Sequence, residues 1–111
     1  MLQELTLSSR MCHGTVTVTV CGELDANTAP NLAETLGDHL IPEVRELVID
    51  VSDVAFMSSA GLQVLLAATE AAAGHGTRVG VRTGGARAVH RVLQAAGGEH
   101  LLPLTRVPQP A

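Results

Sequence analysis

The chain has 111 residues, enough for one domain around one core, with 46% hydrophobic residues and a formal net charge of −4 at pH 7. The acidic balance, and a single aromatic residue (Phe56) with no Tyr or Trp on which bases could stack, argue against a general nucleic-acid binder. No stretch approaches the roughly 20 apolar residues of a membrane span, and the first residues lack a secretory pattern, so the expectation is a cytoplasmic protein without membrane insertion.

In chain order, Leu2 to Ser8 alternates weakly and suggests a first strand, broken at Ser8, Ser9 and Arg10 before Gly14. Thr15 to Val20 alternates strictly between Thr and Val, the period of a strand with one face on a core, and ends at Gly22-Glu23-Leu24-Asp25. Asn27 or Thr28 is placed to cap a first helix, with Pro30 in its first turn and Ala29, Leu32, Leu36 and Leu40 along one face. Ile41-Pro42 stops it. Leu47 to Val51 is a short apolar run of buried-strand type. A second helix follows with Leu62, Leu65, Leu66, Thr69 and Ala73 at helical spacing, ending at Gly74. Arg78 to Arg82 predicts a fourth strand, and Gly84-Gly85 opens a third helix with Val89, Val92, Leu93 and Ala96 on its apolar face, closed by Gly97-Gly98. Leu101, Leu102 and Leu104 suggest a last strand or an apolar clasp. The alternation is that of an α/β domain over residues 1–105, a mixed, mostly parallel sheet of four to five strands with about three helices, followed by a short irregular tail over 106–111.

Asp50 to Leu62 is the stretch around which the rest is organised. Serines, a small residue and a glycine lie between an apolar strand and a helix, so backbone N–H groups should point outward at the positive end of the helix dipole. A phosphate, a carboxylate or a serine hydroxyl suits such a place. Ser58 or Ser59 is also placed to cap the helix. Asp50 should end the strand and Asp53 hold a turn through its own backbone. Phe56 is expected as a core plug and Met57 as a rim contact. Arg87, His90 and Arg91 form a basic face on the third helix, expected to be solvated.

Two linked motifs, Gly22-Glu23-Leu24-Asp25 and the segment containing Asp50, Ser52, Val54, Phe56, Met57, Ser59, Gly61 and Leu62, resemble the STAS-domain family, in particular bacterial anti-sigma-factor antagonists. The resemblance covers nearly the whole chain. It implies partner switching: the unmodified antagonist binds an anti-sigma factor, often a histidine-kinase-like serine kinase, and phosphorylation releases it. The implied contact surface is Asp25, Met57, Ser58, Ser59, Ala60, Gly61 and Leu62. Asp25 has a second reading, as a turn or capping residue ahead of Thr28. The resemblance places the phospho-acceptor just before the motif glycine, and this chain has Ala60 there, without a hydroxyl; Ser58 also replaces the motif aspartate. Ser59 and Ser58 stand as the candidate acceptors. Three readings follow: a binding module not switched at the usual position, a module switched at Ser59 or Ser58, and a STAS adaptor subunit of a transport or sensory complex.

The rival class is a small serine-dependent enzyme. Ser59 lacks a nucleophile elbow, no phosphate-binding glycine loop is present, and the chain contains no lysine. The histidines show no paired metal-ligand spacing, and Cys12 and Cys21 form no C-x-x-C pair and are expected as free thiols. No catalytic residue, metal or cofactor is expected.

Overall fold

The structure is a computed structural model that describes residues 4–105. The expected strand start at Leu2 and the tail after residue 105 lie outside the described residues. The elements are β1 (Thr6–Cys12), β2 (Thr15–Leu24), α1 (Ala29–Asp38), β3 (Glu46–Met57), α2 (Ser59–His75), β4 (Arg78–Arg82) and α3 (Arg87–Ala96), then a 3-10 turn over Glu99–Leu101. The sheet runs in the order β1-β2-β3-β4. β1 is antiparallel to β2, while β2–β3 and β3–β4 are parallel. Two parallel crossovers that step the same way along a sheet put their helices on the same face. Accordingly α1, α2 and α3 all bury side chains in one core cluster with β2 and β3.

β2 shows the alternation its sequence predicts: Val16, Val18 and Val20 are buried, and Thr15, Thr17 and Thr19 are half-buried on the face without helices. β3 begins in the same way, with Leu47, Ile49 and Val51 buried. Two register shifts then follow. Thr19 pairs with Asp50 but Cys21 with Asp53, and Gly22 pairs with Val54 but Glu23 with Phe56. Each shift inserts one extra residue into β3, and each extra residue sends the following side chains to the opposite face. Val54 and Met57 therefore face the core, and Phe56 is left 49% exposed. Met57, expected at the rim, is thus part of the core, and Phe56, expected as a core plug, is at the surface.

The same bulges carry β3 well past Val51, to Met57. Asp50 and Asp53 lie inside the strand, not at its end or in a turn. Asp50 Oδ1 accepts bonds from the Ser52 amide at 3.0 Å and the Ser52 hydroxyl at 2.6 Å, satisfying an amide that the first bulge displaces from the ladder.

Other boundaries also move. β1 runs through Ser8, Ser9 and Arg10 to Cys12, because an edge strand is held by its ladder and needs little apolar alternation. α2 buries Leu62, Leu65, Ala68 and Ala72, with Ala73 exposed, and ends at Gly76 in the left-handed conformation (φ 74°), not at Gly74. In α3, Val89 and Leu93 are buried but Ala96 is exposed. Arg87 and Arg91 are exposed, and His90 Nδ1 lies 3.2 Å from Glu99 Oε1. Leu102 is buried, and Leu104 forms a parallel bridge to Val81 at the outer edge of β4. Cys12 and Cys21 are both free.

Candidate functional site

The end of β2 and the start of α2 are tied together. The Ser58 amide donates to the Leu24 carbonyl at 2.9 Å, and Leu24 and Met57 are register partners. The turn at Asp25 and the serine segment, some thirty residues apart, therefore form one rim at one end of the sheet.

Asp25 has a defined local role. Its Oδ1 accepts from the Asn27 amide at 2.9 Å and the Thr28 amide at 3.0 Å. Thr28 occupies the N-cap of α1, yet its hydroxyl makes no cap bond. It donates instead to the Glu23 carbonyl and accepts from the Asp25 amide, both at 2.9 Å. The aspartate thus builds the turn that delivers the chain into α1. Asp25→Ala is expected to cost about 1 kcal/mol, the usual worth of such a side-chain-to-amide cap, read as a lower midpoint in urea unfolding. An unchanged midpoint would mean that these bonds contribute nothing.

At α2 the expected serine cap is absent. Ser58 holds the N-cap position with an extended backbone, but its side chain makes no cap bond. The Ser58 Oγ is buried and has no hydrogen-bond partner among the described residues. Its carbonyl accepts from the amides of Gly61 at 3.1 Å and Leu62 at 3.2 Å. The amides of Ser59 and Ala60 remain at the helix terminus without an intrahelical acceptor. Ser59 is exposed, and the first turn carries no acidic residue.

Of the residues expected to form a contact surface, Met57 and Leu62 are 3% and 4% exposed, and Gly61 is buried too. They support the rim from beneath. Gly61 is required there: a Cβ at this position would lie 2.7 Å from Leu24 Cγ and 3.1 Å from Met57 Cγ. Asp25, Ser58 and Ala60 are half-buried, which leaves Ser59 as the accessible hydroxyl of the segment. Sequence reasoning missed Phe56. It lies three residues before Ser59, exposed, and pairs in register with Glu23. Plain alternation from Leu47, Ile49 and Val51 already turns Phe56 outward, because the two bulges cancel by Met57; the apolar ring alone pointed to the core.

The rim thus carries one exposed aromatic beside a mostly polar surface, with an available hydroxyl at the positive end of a 17-residue helix where an added anion is tolerated. A family profile described as "Mlab, STAS domain" matches residues 8–103. The chain belongs to the STAS-domain family. Over 95% of its length this STAS domain is 34% identical to an anti-sigma factor antagonist from Mycobacterium paratuberculosis, covering 88% of that chain with a TM-score of 0.80. It is 38% identical over 58 residues to the anti-sigma-F factor antagonist RsfB of Mycobacterium tuberculosis, a match covering 52% of this chain and 48% of RsfB. The chain thus spans about half the length of the curated relatives it matches. SpoIIAA in its unphosphorylated form, at 17% identity, shares the fold with a TM-score of 0.74 over 91% of this chain and 89% of its own. Among the described residues no helix is long and apolar enough to cross a membrane.

Proposed function

We propose that this STAS domain is an anti-sigma-factor antagonist that binds its partner through the rim formed by Phe56, Ser59 and Asp25, and that phosphorylation of Ser59 breaks the complex. The observation that carries this is the contrast between the two serines: Ser59 is exposed on the first residue of α2, and the Ser58 hydroxyl is buried. A phosphate on Ser59 adds about −1.5 to −2 charges to a surface that otherwise docks a neutral hydroxyl. The free amides and dipole of α2 tolerate that charge, so the fold survives while the interface is lost.

The partner is an anti-sigma factor of the histidine-kinase-like serine kinase type, met in the cytoplasm. The domain itself turns over no substrate and needs no cofactor. Phe56→Ala is expected to leave stability within about 0.5 kcal/mol, since the ring is half-exposed, and to weaken binding about tenfold, as loss of an aromatic anchor does. Isothermal titration of the two proteins checks this, and unchanged affinity would remove Phe56 from the interface.

The second reading is a STAS adaptor subunit of a transport or sensory complex, which membership of the STAS-domain family alone does not separate from an antagonist. Affinity purification from the native cytoplasm, with wild type beside Ser59→Glu, separates the two. A serine-kinase anti-sigma factor recovered with wild type and lost with Ser59→Glu supports the antagonist. Transport or sensory subunits recovered equally with both proteins would overturn it.

A further inference from the structure

We propose that the outer edge of β1 pairs antiparallel with β1 of a second copy, forming a symmetric dimer whose sheet is continuous across two molecules. The two edges of the sheet differ. At β4 the Val81 amide donates to the Pro103 carbonyl and the Thr105 amide to the Val81 carbonyl, both at 2.9 Å, so that edge is occupied. Among the described residues nothing pairs with the outer edge of β1. Proteins discourage edge pairing with proline, lysine or bulges. Thr6–Cys12 has no proline or lysine and pairs with β2 without a register shift, leaving Arg10 as its one charge.

The register follows from the hairpin. His13 (φ 51°) and Gly14 (φ 82°) form a two-residue turn closed by Cys12 and Thr15. Such a turn closes on a hydrogen-bonded pair, and the alternation then turns the amides and carbonyls of Cys12, Arg10, Ser8 and Thr6 toward β2. Those of Leu7, Ser9 and Met11 point outward. A two-fold axis at Ser9 sets Ser9 against Ser9 and Leu7 against Met11 twice, using all the outward groups in about six hydrogen bonds, two for each facing pair. The side chains agree with this register. Met11 is 54% exposed, and Leu7 is partly buried against the core on the same face, so each Met11 gains an apolar neighbour. On the other face Arg10 opposes Ser8, with no like charge directly across. The edge lies apart from the rim at α2: β2 separates β1 from β3, and Met11 is at the end of the sheet opposite Met57.

One strand pair is a small interface of the transient class, so association is expected near 0.1 mM, not at nanomolar concentration. Sedimentation equilibrium over a concentration series tests it. Ser9→Pro removes an outward amide and spares the β1–β2 ladder; it is expected to weaken the dimer at least tenfold. Ser9→Ala keeps the amide but loses the exposed 3.1 Å contact with His39 Nε2, and should dimerise like wild type. Should Ser9→Pro fail to fold, Ser9→Cys with Cys12→Ser and Cys21→Ser supplies the register test: oxidation should link two copies, whereas Arg10→Cys in the same background should not link. A wild type that remains monomeric at millimolar concentration, or a dimer indifferent to Ser9→Pro that Ser9→Cys cannot link, would overturn the proposal. So would a monomer whose edge is instead taken by a strand of another protein, seen as a complex that Ser9→Pro abolishes.

Discussion

Gly61→Val is expected to destabilise the domain by about 3 kcal/mol, the upper range for overpacking a filled core. Leu24 is fully buried and Met57 nearly so, and both press on the Gly61 backbone where α2 leaves the sheet. Even one added carbon overlaps Leu24 Cγ and Cδ2, at 2.7 and 2.8 Å. A β-branched side chain adds more volume in a place with no room for α2 to back away, since the Ser58 amide is pinned to Leu24. For a domain of this size that loss lowers the melting temperature by roughly 12–20 °C. Gly37→Ala is the control: nothing lies within 4 Å of a Cβ there, so the helix should gain about 0.5–1 kcal/mol from alanine's higher propensity. Thermal unfolding by circular dichroism reads both variants. Equal melting of Gly61→Val and wild type would mean that the strand-to-helix packing is not as described.

Ser59→Glu is expected to weaken binding to the anti-sigma partner about 100-fold, a loss of roughly 3 kcal/mol, with the melting temperature nearly unchanged. A carboxylate brings charge into a contact that otherwise takes a neutral hydroxyl, and it must be desolvated there. On the free protein it sits at the favourable end of the α2 dipole, so the fold has no reason to suffer. Ser59→Ala should bind like wild type and resist release. Surface plasmon resonance with the purified partner separates the variants. Strong binding by Ser59→Glu would show that the interface lies elsewhere or admits charge.

The parts legible in the sequence are those where one physical signal dominates. The Thr–Val alternation of β2, the apolar stripe of α1 and the two crossovers follow from periodicity, and they fix the α/β class. The motif pair at Gly22-Glu23-Leu24-Asp25 and Asp50 to Leu62 located the rim. β3 was hidden beyond Val51 because two bulges reset its alternation, and a residue-by-residue count cannot see an insertion relative to a strand elsewhere in the chain. Phe56 was concealed by its apolar ring instead, since the two shifts cancel there and simple alternation from Val51 already turns it outward. Ser58 and Ser59 are equivalent in sequence; only the helix start at Ser59 separates a buried hydroxyl from an exposed one. β1 was displaced for a different reason: Ser8, Ser9 and Arg10 resemble a loop in composition, but they pair in register with Thr19, Val18 and Thr17, and the backbone bonds of Ser8 and Arg10 to β2 hold the segment in the sheet.

The most direct measurement is to incubate the wild-type protein with its anti-sigma kinase and MgATP, then map phosphate by mass spectrometry while following the complex by size-exclusion chromatography. Phosphate on Ser59, absent from Ser58, appearing together with dissociation of the complex, is the expected result. An unmodified Ser59, or a complex that persists with Ser59 fully phosphorylated, would contradict a switch at the start of α2.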